Sequence, residues 1–167
     1  VDWEPITDAD KPNVVVFLQK LRAAKPVIIL TVPIGWSSVF DGTGAWFATL
    51  APLTDQLNIM SYEMADAWPG WVSWHESALY GQGGDHPSSV STVVARYVSY
   101  GIPAAKLGVG LGFYGSCWRG PTAPLQAVGS GVVASDNTMS YANIRASYAP
   151  KGTYTWDATA KQGYLSF

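Results

Sequence analysis

Three apolar runs, spaced by helix-like segments, constrain the fold of this chain more than any other feature. Residues 27–33 read VIILTVP, residues 57–64 read LNIMSYEM and residues 106–114 read KLGVGLGFY. Near-continuous apolar and β-branched stretches are the pattern of strands covered on both faces, which is typical of parallel sheets. Between and before them lie segments with helical spacing. Over residues 13–24, Val14, Phe17, Leu18 and Leu21 fall at i, i+3, i+4 and i+7, and Pro26 ends the pattern. A weaker helical pattern covers about 44–51. A third helix is opened by Pro87 and Ser88, carries Val90, Val93, Val94, Tyr97 and Val98 on one stripe, and ends at Gly101 and Pro103. The rhythm predicts an α/β fold with a parallel sheet and helices outside it. A doubly wound sheet and a (β/α)8 barrel both satisfy it. The glycines of the third run imply close approach of other atoms there.

After residue 114 the rhythm breaks. Residues 115–167 are rich in Gly, Ser, Ala and Thr, with a short helix expected near 141–148. Short strands are expected at 153–156 and 162–167, joined by a turn through Asp157. This reads as a small α+β appendage, so the predicted division is 1–114 and 115–167. A length of 167 residues suits one core, yet only 13% of residues are charged while 48% are hydrophobic. Such a chain is expected to be a piece of something larger, and it begins in mid-pattern without Met.

The opening residues, VDWEP, place two carboxylates two positions apart. At a strand end Asp2 and Glu4 point to one side, with Val1 and Trp3 on the other. Adjacent acids repel when both are ionised, which favours one that holds a proton, as a general acid must. For an isolated pair of this kind, solvated surface is the ordinary reading; the downstream motifs reverse it.

Other chemistries find little support. A net charge of −2 gives no footprint for nucleic acid, and no run of 18 apolar residues suggests a membrane span. The single Cys117 leaves no internal disulfide. His75 and His86, the only histidines, lack metal-ligand spacing and no Ser-His-Asp pattern forms around them. Gly108, Gly110 and Gly112 lie inside an expected strand, so they make a poor phosphate loop. No cofactor or metal is expected. Eight Trp and nine Tyr are mostly core filling, but aromatics in loops suit stacking on the apolar face of a sugar.

Several stretches in order resemble glycoside hydrolase family 18, the chitinases. VDWEP resembles the end of the D-x-x-D-x-D-x-E signature. Met60-Ser61-Tyr62-Glu63 resembles the M-x-Y-D segment of the sixth barrel strand, and Met64-Ala65-Asp66-Ala67-Trp68 continues towards a cleft Trp. Residues 103–107 and Gly112-Phe113-Tyr114-Gly115 resemble the seventh strand and its lead-in. Tyr154-Thr155-Trp156-Asp157 and Gly163-Tyr164-Leu165-Ser166 resemble the end of the α+β insertion before strand eight.

The resemblance implies a partial (β/α)8 TIM barrel, from the end of strand four through strand seven, with the insertion following. It also implies substrate-assisted chemistry on chitin or chito-oligosaccharides, without an enzymic nucleophile. Glu4 would be the general acid. Asp2 would sit beside it, and Tyr62 would donate to the substrate's acetamido group. Met60, Glu63, Trp68 and Tyr114 would contact substrate. Trp36, Trp71, Trp74 and Trp118 are weaker candidates. Two positions depart from the family pattern: Glu63 stands where Asp is usual, and Ser116 where Arg is frequent. The resemblance further implies an extracellular protein, and an incomplete, inactive site in this chain taken alone. An endo-β-N-acetylglucosaminidase and a non-catalytic chitin-binding lectin are the alternatives; retention of Asp2 and Glu4 speaks against the lectin.

Overall fold

The computed structural model describes residues 1–66, 68, 70–84, 86–128, 132–134 and 139–167. Ala67, which falls in the stretch leading to the expected cleft Trp, lies outside them. The chain forms two compact units that interleave in sequence. One comprises residues 1–60 and 94–110, the other 61–93 and 111–167.

The first unit is built on a three-stranded parallel sheet. It contains α1 (Lys11–Ala24), β1 (Thr31–Gly35), α2 (Gly44–Phe47), β2 (Gln56–Met60), the later residues of α3 (Val90–Ser99) and β3 (Leu107–Val109). The sheet order is β1-β2-β3, and Pro33 registers with Asn58, which registers with Gly108. Helix α1 starts two residues before the expected position because Pro12 fits its first turn. Val14 and Leu18 are buried, whereas Phe17 is 41% exposed and meets Trp3 edge to face. The helical pattern expected over 44–51 divides into α2 and a 3-10 turn, Ala48–Leu50.

The strands are shorter than the apolar runs suggest. Val27 and Ile29 are exposed, and β1 begins only at Thr31. Its start is fixed by the segment leading into β2: Asp55 Oδ2 accepts from the Leu30 amide and from Arg22, each at 2.7 Å, and the Asp55 amide returns to the Leu30 carbonyl at 2.8 Å. Among the described residues no strand pairs with the stretch before Leu30. Burial on both faces is not observed either. Val32, Ile34, Leu57 and Ile59 are buried, while Gln56 is exposed and Thr31, Pro33, Asn58 and Met60 are half-buried. One face is therefore apolar and covered, and the other is more open and mixes Thr31, Gln56 and Asn58 with Pro33 and Met60. Strand β3 stops at Val109 instead of running to Tyr114, although the Gly110 amide still donates to Ile59 at 2.8 Å. The close approach expected at its glycines is found at Gly108, where a Cβ would collide with the side chains of Asn58 and Gln56.

In α3, Val90, Val93 and Tyr97 are buried but Val98 is exposed. Tyr97 donates to the Gly35 carbonyl at 2.5 Å, and Tyr100 to the Val39 carbonyl at 2.9 Å, tying the helix to the end of β1 and the loop after it. The helix begins at Val90 and not at Pro87, because the carbonyls of Ala78 and Leu79 take the amides of Val90 and Ser91 at 2.8 and 3.1 Å.

The second unit consists of residues 61–93, which hold a Trp-rich loop, and the α+β segment. The latter holds β4 (Cys117–Trp118) paired antiparallel with β5 (Val132–Ala134), then α4 (Tyr141–Asn143) running into a π turn, Ile144–Tyr148. A hairpin of β6 (Thr153–Asp157) and β7 (Gln162–Ser166) closes it. Asp157 Oδ1 accepts from the amides of Thr159 and Ala160 at 2.8 and 3.0 Å, which makes the expected turn. Ala65, Trp74, Ala78 and Ala160 pack into a buried cluster, with Trp118 against it. Among the described residues no helix is long and apolar enough to cross a membrane.

Candidate active site

The opening residues are not a regular strand, but the expected alternation is present. Asp2 and Glu4 are exposed, and Val1 and Trp3 are half-buried. The Val1 nitrogen donates to the Thr31 carbonyl at 2.6 Å, which lays this segment along the start of β1. Glu4 lines a cleft of about 270 Å³ together with Trp3, Gly35, Asp41, Trp46 and Met60. Gly35 and Met60 are the last residues of β1 and β2, so the cleft opens at the carboxyl ends of parallel strands. Ligands of α/β sheets bind at that end. Lys11 also lines it, with its ammonium 5.5 Å from the Trp46 ring and 2.7 Å from Asp8. The first unit therefore brings Glu4 and Met60 into one cleft, and Asp2 is not among its lining residues.

In the second unit, Tyr62, Glu63 and Tyr114 form one group. Tyr62 and Tyr114 meet edge to face with ring centroids 6.1 Å apart, and the Tyr114 hydroxyl donates to Glu63 Oε1 at 3.0 Å. Tyr62 falls within the run 57–64 expected to be strand, but β2 ends at Met60 and Tyr62 lies beyond it. The break has a local cause: Glu63 sits at φ 55, in the left-handed region that cannot continue a strand. Tyr114 likewise lies past the end of β3, in an isolated antiparallel bridge to Ser140.

Glu76 is a residue the sequence reading missed. It is only 7% exposed, and its Oε1 accepts from the Glu63 amide at 3.1 Å while its Oε2 accepts from Ser116 at 3.2 Å. Its main-chain carbonyl takes the Met64 amide at 3.0 Å. An acid inside a Trp-rich loop carries no sequence signal for burial.

Trp68 is 39% exposed and lies 4.2 Å from Trp71, which in turn stacks on His86 with centroids 4.7 Å apart and an 11° angle between planes. This leaves an aromatic array in the loop. Trp36 meets Phe40 edge to face, at 6.3 Å between centroids. Trp74 is buried with its indole N–H on the Ser88 carbonyl at 2.8 Å, so both it and Trp118 serve packing. His75 is buried and pairs with Asp157 at 2.9 Å. Burial raises the Cys117 thiol above its ordinary value, which makes it a poor nucleophile. Among the described residues no three His, Cys, Asp or Glu side chains gather as a metal-holding group.

The family model for glycosyl hydrolases family 18 matches residues 1–166. The chain belongs to glycoside hydrolase family 18. Among curated family members, chitinase A1 of Niallia circulans is 29% identical over 99% of this chain and 28% of its own length. Chitinase 1 of Aphanocladium album is 25% identical over 97% of this chain and 43% of its own. The chain thus spans less than half the length of these relatives. Among solved structures, a family 18 N-acetylglucosaminidase from Paenibacillus barengoltzii superposes with a TM-score of 0.80 at 25% identity, over 98% of this chain and 54% of that one. The class V chitinase of Nicotiana tobaccum gives 0.76 at 24% identity, over 99% and 52%. A mutant of the Nicotiana enzyme has been solved in complex with NAG4. With about half of each family 18 structure covered, the parallel sheet here is consistent with part of a (β/α)8 barrel.

Proposed function

We propose that this chain is the stretch of a chitinase from the end of the fourth barrel strand through the seventh, followed by the insertion at 115–167. The reaction is retaining, substrate-assisted endo-hydrolysis of β-1,4-linked N-acetylglucosamine. The carrying observation is that Glu4 lines a cleft at the carboxyl ends of β1 and β2, within a chain matched to family 18 over residues 1–166.

Glu4 protonates the leaving glycosidic oxygen as the substrate's acetamido carbonyl attacks the anomeric carbon. It then takes a proton from the water that opens the oxazolinium ion. Asp2 holds the acetamido group as charge develops, and the Tyr62 hydroxyl donates to its oxygen. Such donors act mainly in the transition state. Met60, Glu63 and Tyr114 line the sugar, and Trp68 stacks on the aglycone side. The substrate is a chitin chain or chito-oligosaccharide, which implies an extracellular protein. No cofactor enters. The 167-residue chain is proposed to be inactive alone.

Glu4→Gln in the complete protein is expected to abolish release of chito-oligosaccharides from chitin and leave binding intact. Sustained turnover by Glu4→Gln would remove Glu4 from the role of acid. Glycoprotein glycans cleaved in preference to chitin would move the assignment to an endo-β-N-acetylglucosaminidase.

A further inference from the structure

Glu76 holds two neighbouring segments of the site with its two carboxylate oxygens. Oε1 takes the amide of Glu63, and Oε2 takes the hydroxyl of Ser116, two residues beyond Tyr114. Tyr114 in turn donates to the Glu63 carboxylate at 3.0 Å, so the contacts close into a ring of Glu63, Tyr114, Ser116 and Glu76. The backbone reinforces it: the Met64 amide bonds the Glu76 carbonyl, and Ser77 Oγ bonds the Ser61 carbonyl. Residues 61–64 are therefore clamped to residues 76–77 on both sides of Glu63. That matters because Glu63 is held at φ 55, a conformation few side-chain-bearing residues adopt unless their surroundings impose it. A carboxylate nine-tenths buried is costly unless donors satisfy it, and here each oxygen receives one from a different segment.

We infer that Glu76 is a positioning residue: by binding the Glu63 amide and Ser116 together, it aims the Glu63 carboxylate and the Tyr114 hydroxyl at the substrate. The inference rests on the proposed reading of Glu63 and Tyr114 as sugar contacts. It gives Ser116 a task as well, as a neutral donor to a buried acid.

The test uses the complete protein and a soluble chito-oligosaccharide. Glu76→Ala is expected to lower kcat per folded molecule by about tenfold or more, since small misplacements of a site are expensive. KM should move by less than about threefold. Glu76→Gln, whose amide oxygen still accepts from Glu63 and whose NH2 can meet Ser116, should recover most of that loss. Crossed with Tyr114→Phe, Glu76→Ala should cost little more than the worse single variant, because both act through Glu63. Unchanged kcat, or effects that multiply independently, would overturn the inference. Should Glu76→Ala not fold, Ser116→Ala crossed with Tyr114→Phe gives the same decision: non-additive loss of kcat supports positioning, and independence refutes it. Glu4→Gln separates the two levels. An inactive Glu4→Gln beside a normal Glu76→Ala refutes positioning alone, whereas an active Glu4→Gln refutes the functional reading.

Discussion

The Tyr114 hydroxyl donates to the Glu63 carboxylate at 3.0 Å, joining residues 51 positions apart in the chain. Glu63 stands where the family pattern usually has Asp, one methylene shorter. The longer side chain reaches a partner on another loop, and the left-handed backbone at Glu63 sets the direction in which it leaves the chain. Tyr114→Phe in the complete protein is expected to reduce kcat/KM for chito-oligosaccharides by about tenfold. The bond is exposed, so the same change should alter stability by no more than about 1 kcal/mol. Steady-state kinetics and a urea titration separate the two effects.

Stability should depend on pH through Asp157. The Ala160 amide, then the His75 ring, hold its carboxyl below the ordinary 3.8. A group depressed in the folded state adds stability above its unfolded value and loses it as pH falls through the folded one. Asp157→Asn is therefore expected to lower the urea midpoint near neutral pH. The gap from the unsubstituted protein should narrow as the pH drops below about 4. A gap of constant size down to strong acid would show that the carboxylate charge is not what stabilises the hairpin.

Tyr97 is fully buried, and burial raises its hydroxyl far above the ordinary tyrosine value, so it stays a donor at any working pH. Tyr97→Phe keeps the ring but strips the Gly35 carbonyl of its donor at the end of β1. A loss of about 1–3 kcal/mol in unfolding free energy is expected, together with disturbance of the adjoining cleft.

Gly44 is buried at the start of α2, where a Cβ would stand 2.8 Å from the Ser38 carbonyl oxygen and 2.8 Å from the Tyr100 ring. The obstacle is partly backbone, which cannot swing aside. Gly44→Ala is expected to destabilise by about 1–3 kcal/mol, read as a lowered midpoint of thermal unfolding.

The alternation of apolar runs with helical stripes made the parallel β1-β2-β3 sheet legible, since periodicity depends on the chain alone. Strand ends were not. Residues 27–29 look like strand but pair with no strand among the described residues, and 61–64 look like strand until Glu63 turns left-handed. Hydrogen-bond partners distant in sequence decide such limits. Glu4, Met60, Tyr62, Glu63, Trp68 and Tyr114 could be named as candidates from motifs because each sits in a short local pattern. Glu76 could not, because its importance lies in contacts 13 and 40 residues away.

The sequence by itself determined an α/β chain with its acids at the opening and its family 18 motifs in order. These are properties of residue type and local spacing. Tertiary structure decided which face of the sheet is covered, where each strand stops, and that a buried glutamate clamps the loop carrying Glu63. Burial and hydrogen-bond satisfaction are set by whatever the folded chain brings alongside, and no local pattern encodes that.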